Sequence, residues 1–430
     1  MESIKKNILI ISHPGKDAAG IIAFNLFEGF KEKGYNTKIF VKYSDNENID
    51  VISMHNKLYW KYIKKIINRI SRYCYFLIKG KYALKTDDDK YNLYSINETK
   101  GWYKTKKFTD KIPFNVDILF ILFIDNYLNT KNIREIYDKY KCKIFWLLPD
   151  MAGMTGGCHY AWDCKGYHHQ CGNCPAIYST DKYDITYKNM AFKKINLKNI
   201  PLLVFSFSTW QHQQLNNSSL FKDNIKELIY FPINKNIFKP IDKKTSRSKF
   251  NLTDLHKVIF IGAKNLQNPR KGFKYLIEAL KILYDKVPNE NIIILISGKI
   301  DEDIRNNIKF KFISIDYLDQ EKDLPLAFSA SDVFVSPSIE DTGPTMVNLS
   351  LMCGTPVVAF RTGVANDLII ENETGLLADI YNSNQLADCI LKIITLTYTE
   401  KIILSQRCRK YGLRKTTIED QVLKLEKYFY

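Results

Sequence analysis

The chain has 430 residues, more than one ordinary hydrophobic core accommodates, so two domains are expected. Its 45% hydrophobic and 25% charged residues describe a soluble globular protein, and no apolar run reaches the ~18 residues that a membrane-spanning helix needs. The net charge of +17 fits nucleic acid, an anionic membrane surface or nucleotide-sugar substrates, but part of it is plain Lys-, Asn-, Ile- and Tyr-rich composition and does not by itself imply nucleic-acid binding.

The chain starts with Met1 to Lys6 and runs into a strand, Asn7 to Ser12, too short for a signal-peptide core plus cleavage site. A turn of small residues follows, His13 to Gly20, with Gly15 inside it. Ile21 to Lys33 has the spacing of an amphipathic helix, with Ile22, Leu26, Phe27 and Phe30 on one side. Gly34 closes it, and Thr37 to Val41 is the next strand. Further on, Asp117 to Leu122 and Cys142 to Leu148 read as buried strands, with a helix from Asn132 to Lys141 between them. Strands alternating with helices mean a parallel sheet.

Residues 57 to 107 stand apart. Lys57, Lys61, Lys64, Lys65, Arg69 and Arg72, interleaved with Trp60, Tyr62, Ile66, Ile67, Ile70, Tyr73 and Tyr75, give a basic helix with an aromatic-aliphatic face. Such a helix lies in an anionic membrane interface, where each basic residue is worth about 1 kcal/mol, or packs its apolar face on the first domain. Asp87 to Asp89 fall in a lysine-rich linker and read as solvated.

After the strand ending at Leu148 comes Pro149-Asp150-Met151-Ala152-Gly153-Met154-Thr155-Gly156-Gly157-Cys158-His159-Tyr160. Asp150 and His159 are its candidate catalytic groups. Cys158, Cys164, Cys171 and Cys174 follow within 17 residues. Four thiolates close a tetrahedral zinc site, and this Gly-rich polar loop is poorly suited to order itself by packing. Two disulfides are the rival reading. Nine cysteines cannot all pair within the chain, and reduced thiols in a cytoplasm are expected without an export signal. Cys74, Cys142, Cys353, Cys389 and Cys408 have apolar neighbours and read as core.

The second half repeats the α/β logic. Val258 to Gly262, Asn291 to Ser297, Lys309 to Ile315 and Val333 to Val335 read as strands. Helices are expected at Gly272 to Lys286, Leu324 to Ala330, Asn382 to Leu396, Glu400 to Gly412 and Thr417 to Phe429. Pro269-Arg270-Lys271-Gly272 sets two cations before a helix start, a diphosphate site by charge and by helix dipole. Ser336 to Asn348 reads as a strand end, two carboxylates (Glu340 and Asp341), Thr342, and a Gly343-Pro344 helix start running into Thr345 and Met346. A helix that begins just after a strand end points unpaired N–H groups into the crevice where open α/β sheets bind phosphates. Ionised carboxylates beside it are acceptors suited to sugar hydroxyls. The segment ends in Met352-Cys353-Gly354-Thr355-Pro356-Val357-Val358, and Gly363 to Asp367 and Glu373 to Leu377 lie downstream.

This combination resembles glycosyltransferase family 4, retaining enzymes of the GT-B architecture. Asp341 matches the first acidic position of the family's donor signature, counting back from Cys353; Leu349 stands where the second Glu would be, leaving Asn348 and Glu340 as candidates for the ribose contact. Lys271 matches the family's Lys-Gly, while Ala263 replaces the Arg that follows the strand glycine Gly262, so Lys264 or Arg270 would supply that charge. Asp367 matches the Glu of the Gly-x-x-Glu loop near the donor base. Ser208-Thr209-Trp210 and the Pro232 to Pro240 stretch are similar to the family's passage between domains. Thr155 to Tyr160 resembles the colanic-acid-type branch, with Pro149 where a His is usual.

The resemblance implies an α/β GT-B fold: two Rossmann-like parallel-sheet domains facing each other across a cleft. Residues 1–210 would form the acceptor-side domain, with His13, Gly15, Gly20, Asp150 and His159 toward the acceptor and helix 417–430 packing back onto it. Residues 211–416 would form the donor domain. The implied activity is metal-independent, retaining hexosyl transfer from a nucleotide sugar to a lipid-linked glycan of bacterial surface polysaccharide, at the inner face of the plasma membrane. No catalytic cofactor is expected, since no Asp-x-Asp sits at a strand end in the donor half; a structural zinc stays open. Nucleic acid is not an expected partner. Binding of nucleic acid through the basic first half and the cysteines is the rival from another class, and a catalytically degenerate GT-B homologue is a second.

Overall fold

The structure, a computed structural model, describes residues 5–13, 18–44, 48–56, 88–93, 95–101, 103–125, 127–288, 290–299, 302–315, 318 and 321–430. The basic helix expected at 57–75 lies outside the described residues, as does Gly15. The chain forms two compact units. The first holds the described residues up to Ser206, together with Gln213–Glu227 and Tyr428–Tyr430; the second holds Phe207–His212 and Leu228–Lys427. The chain passes between them at 206/207, 212/213, 227/228 and 427/428.

In the first unit the strands are β1 (Asn7–Ser12), β2 (Asn36–Ser44), β3 (Val51–Asn56), β4 (Ile118–Ile121), β5 (Lys143–Leu147), β6 (Leu202–Ser206) and β7 (Ile225–Leu228). They form one sheet in the order β3-β2-β1-β4-β5-β6-β7. The pairings from β3 through β6 are parallel, with Ile10 opposite both Ile39 and Phe120. β4 is buried at every position and β1 at all but its first residue, as a strand covered on both faces must be. The Ala18–Glu32 helix buries Ile22, Leu26, Phe27 and Phe30. Asn129 and Asn132 form a capping box that starts the Thr130–Tyr140 helix, and the Asp184 carboxylate caps the Ile185–Leu197 helix.

The second unit has β8 (Lys257–Asn265), β9 (Ile292–Lys299), β10 (Lys311–Ile315), β11 (Val333–Ser336), β12 (Val357–Phe360) and β13 (Gly375–Ala378). Their order is β10-β9-β8-β11-β12-β13, with every pairing parallel. This is the doubly wound Rossmann order, and β1 through β6 of the first sheet follow it too. Each sheet reverses its winding beside its first strand, between β1 and β4 and between β8 and β11. Ligands of such sheets bind beyond the carboxyl ends of the strands at that switch point. The two parallel-sheet Rossmann-like units expected from the alternating pattern are therefore present.

Four strands, β3, β6, β7 and β13, were not legible in the sequence, nor were several helices, among them Ile185–Leu197, Thr209–Asn217 and Lys243–Ser248. The final helix is Ile418–Glu426, ending before Phe429. The Phe429 ring leaves the helix and enters the aromatic core of the first unit, 5.6 Å from Phe30, 6.2 Å from Phe120 and 5.7 Å from Phe145 between centroids.

Candidate functional site

At the β8/β11 switch point of the second unit lies a cavity of about 210 Å³. Gly262 from β8, Ser336 from β11, Arg270, Lys271 and the helix start Pro344, Thr345 and Met346 line it. The cations arrive there through local geometry. Asn268 caps the short turn Pro269–Lys271, and Gly272 ends it in the left-handed region at φ +63°. A Cβ on Gly272 would overlap the Pro337 carbonyl oxygen, so only glycine lets this turn lie against the end of β11. The Thr345–Met352 helix begins directly after Pro344, leaving its first-turn N–H groups at the same end of the sheet. Two cations and a helix start at a switch point form a site for an anionic group.

Asp341 sits among these cations. Its Oδ2 lies 2.7 Å from Arg270 Nη1 and 2.6 Å from Lys271 Nζ, and Oδ1 accepts from the Gly343 N–H at 3.3 Å. The Asp341 side chain is only 5% exposed. Burial would raise its pKa, but the Lys271 and Arg270 charges outweigh burial and hold the carboxyl below the usual range. Burial, with the Arg270 charge beside it, lowers the Lys271 ammonium. Asp341, expected beside the donor sugar, pairs here with both of the cations expected to hold the diphosphate. That contact spans some 70 residues of chain and no local motif announces it.

The remaining predicted donor residues are spread around this centre. Glu340 is half-buried, and its N–H donates to the Arg270 carbonyl, tying the acidic loop to the cation turn. Thr342 is buried. Asn348 is fully buried, does not line the cavity, and among the described residues its amide nitrogen and oxygen make no hydrogen bond. Leu349 is buried as well. The Lys264 side chain lies outside the described residues. Asp367 accepts from the Thr209 N–H at 2.7 Å and from the Thr209 hydroxyl, so its carboxylate anchors the start of the Thr209–Asn217 helix within the second unit. Ser336, Ser338, Leu266, Phe273 and Phe334 also line the cavity and were missed as site residues. Only their position at or near the ends of β8 and β11 could have marked them.

In the first unit, His13 follows β1 and packs edge-on to Tyr43 and Phe123 at 5.9 and 6.0 Å. Gly20 lies inside the Ala18–Glu32 helix. His159 and Asp150 lie together in a buried network. His159 Nδ1 lies 2.7 Å from Asp150 Oδ2; Nε2 lies 3.0 Å from Asp125 Oδ2 and 2.9 Å from Ser95 Oγ. Burial alone would lower the imidazole pKa, but the Asp150 and Asp125 carboxylates outweigh it and lift it to about 10. An imidazolium clamped between two carboxylates holds the loop in place. Asp125 and Ser95 were not foreseen, although Asp125 follows β4 at the carboxyl end of the sheet.

The four clustered cysteines are free thiols that line one small cavity, and burial pushes up the pKa of Cys158, Cys171 and Cys174. Among the described residues no group of three or more His, Cys, Asp or Glu side chains is already arranged as a metal-binding set. A different cavity, about 270 Å³, lies at the amino ends of the strands of the second sheet, where Asp332 and Pro356 precede β11 and β12. There the buried Asp332 is already paired with Lys243, Arg247 and Lys401 at 2.8, 3.1 and 3.2 Å, so the charges compensate within the fold.

Two doubly wound units, the second with a cation-lined pocket at its switch point, define the GT-B class of fold. Residues 256–395, the part that builds the pocket, match the family described as "Glycosyl transferases group 1". Over 154 residues the chain is 30% identical to sulfoquinovosyl transferase SQD2 of Arabidopsis thaliana, covering 34% of this chain and 30% of that protein. The chain spans about a third of the length of the curated relatives it matches. Two solved structures share the fold along nearly the whole chain. Sucrose-phosphate synthase from Thermosynechococcus elongatus has a TM-score of 0.65 at 17% identity, covering 99% of this chain and 98% of that one. Anabaena HepE in complex with UDP and glucose has a TM-score of 0.62 at 13% identity, covering 98% of each chain.

Proposed function

We propose that the protein is a retaining glycosyltransferase that moves a hexose from a nucleotide sugar to a lipid-linked glycan of a bacterial surface polysaccharide, such as capsule, O-antigen or exopolysaccharide. The observation that carries this reading is the β8/β11 pocket, where Arg270, Lys271 and the Thr345–Met352 helix start converge. The sugar-transferase names of the sequence relatives support it, as does the UDP and glucose held by a protein of the same fold.

In this reading Arg270 and Lys271 take the diphosphate, exchanging part of their pairing with Asp341 for the ligand. Gly262 admits the phosphates close to β8, and the N–H groups at Thr345 and Met346 receive them. Glu340, Asp341 and Thr342 remain beside the sugar hydroxyls. As the sugar leaves, negative charge grows on the departing phosphate oxygen, where two cations and a helix end are already aimed. The acceptor hydroxyl attacks from the same face and gives its proton to that oxygen, so the anomeric configuration is retained without a separate base. His159 is a positioning residue: both of its ring nitrogens are bonded, and it fixes the Asp150 to His159 loop.

The lipid-linked acceptor follows from the family resemblance. The net charge of +17 suits a protein that works at an anionic membrane surface from the cytoplasmic side. Among the described residues no helix is long and apolar enough to cross a membrane.

Incubation with a panel of nucleotide sugars, followed by nucleotide release and proton NMR of the glycoside, tests the proposal. One donor is expected to be turned over with its anomeric configuration retained, and activity is expected to survive chelation of free divalent ions. An inverted product, or no turnover of any donor, contradicts it.

A further inference from the structure

We infer that Cys158, Cys164, Cys171 and Cys174 form a four-thiolate site for one structural zinc ion, an assignment independent of the sugar-transfer reading. The four residues converge on a cavity of about 20 Å³, room for a single water-sized body. No disulfide joins them. The sulfurs are met by backbone donors: the Gly166 N–H points to Cys164 Sγ at 3.5 Å, and the amides of Gly156 and Ala176 face Cys171 and Cys174. The Thr186 hydroxyl also reaches Cys174.

The loop has little regular secondary structure of its own. Between Cys158 and Asp184 it holds only short 3-10 turns, and the buried apolar cluster beside it is Tyr91, Leu93, Ala176 and Ile177. Yet Cys171, Gly172 and Asn173 are held in three successive left-handed conformations, φ +59°, +95° and +47°, a costly backbone that a small core does little to fix. An ion gripped by four sulfurs from both ends of the loop would fix it.

The donor set chooses the metal. Four soft sulfurs without oxygen ligands favour tetrahedral zinc over magnesium or calcium. Each thiol that ligates releases one proton to solvent, and no oxidant or reductant is involved. A zinc with four thiolates carries two net negative charges. Lys193, buried and bonded to the Ala152 and Thr155 carbonyls at 2.6 and 2.9 Å, and Lys194, bonded to the His169 carbonyl at 2.7 Å, stand beside the loop to offset them. Since the side chains are gathered but not yet set as a ligand group, they must turn inward onto the cavity when the ion binds.

The test uses the full chain purified without chelator, with zinc and iron measured by mass spectrometry and thiols titrated under native conditions. About one zinc per chain is expected, with the four thiols protected until a strong zinc chelator is added, and with a melting temperature several degrees lower after chelation. Cys171→Ser should lose most of the zinc, whereas Cys389→Ser, outside the cavity, should keep it. Should Cys171→Ser fail to fold, the wild-type metal content and thiol protection decide alone. Zinc far below one per chain with thiols that react at once, iron in place of zinc, or two disulfides by intact mass overturns the assignment.

Discussion

Replacing Asp341 with alanine is expected to destabilise the second unit by about 3 kcal/mol, the lower end of the cost of breaking a buried ion pair. The carboxylate is 5% exposed, and its loss leaves two cations facing each other in the same pocket. The lower end applies because Arg270 and Lys271 keep 16% and 23% exposure and can turn toward water. At about 2–4 °C per kcal/mol for a domain of this size, the melting temperature should fall by roughly 6–12 °C. Asp341→Asn keeps the shape and the Gly343 contact and should lose less. The pairing also predicts acid sensitivity. A carboxyl held below its ordinary pKa contributes stability above that value and loses it as pH falls through the lowered one. Thermal unfolding of wild type and variant from pH 7 downward should therefore show their difference shrinking in acid. An Asp341→Ala protein that melts with the wild type at neutral pH would mean that the two cations do not depend on this carboxylate.

His159→Leu is expected to cost about 3–5 kcal/mol, because it leaves the Asp150 and Asp125 carboxylates buried without their shared cation. Here the pH dependence has the opposite sign. The folded-state pKa of about 10 lies above the ordinary 6.5, so the contribution is complete below 6.5 and is lost as pH rises through 10. The stability gap between wild type and His159→Leu should be full near pH 6.5 and narrow from there toward pH 10. A gap that widens toward alkaline pH would show a neutral imidazole in the fold and would restore His159 as a candidate base.

The sheets were legible because strands buried on both faces appear as unbroken apolar runs, such as Ile8 to Ile11 or Ile292 to Ile296. β3, with the sequence VISMHN, and β7, with IKEL, gave no such signal; β7 is an edge strand, exposed or half-buried throughout. The donor pocket was legible because its parts are local: a cation pair before a helix, and a Gly-Pro helix start after a strand. What the sequence withheld was pairing across distance. Arg270 and Lys271 lie some 70 residues from Asp341, and Ser95 lies 64 from His159; only the folded chain shows that these groups bond to one another. Phe429 is a similar case, since its pattern continues a helix while its ring fills the core of the other unit.

The claim that a nucleotide sugar is held by the cations of the second unit is tested most directly by calorimetry. The donor selected by the nucleotide-sugar panel would be titrated into the wild-type chain, into Lys271→Ala, and into Lys392→Ala, which removes an exposed charge outside the pocket. A charge-assisted contact worth about 1.5–3 kcal/mol predicts that Kd rises by at least about tenfold in Lys271→Ala and stays at the wild-type value in Lys392→Ala. Equal affinity in all three proteins would contradict the account and place the donor somewhere other than the β8/β11 pocket.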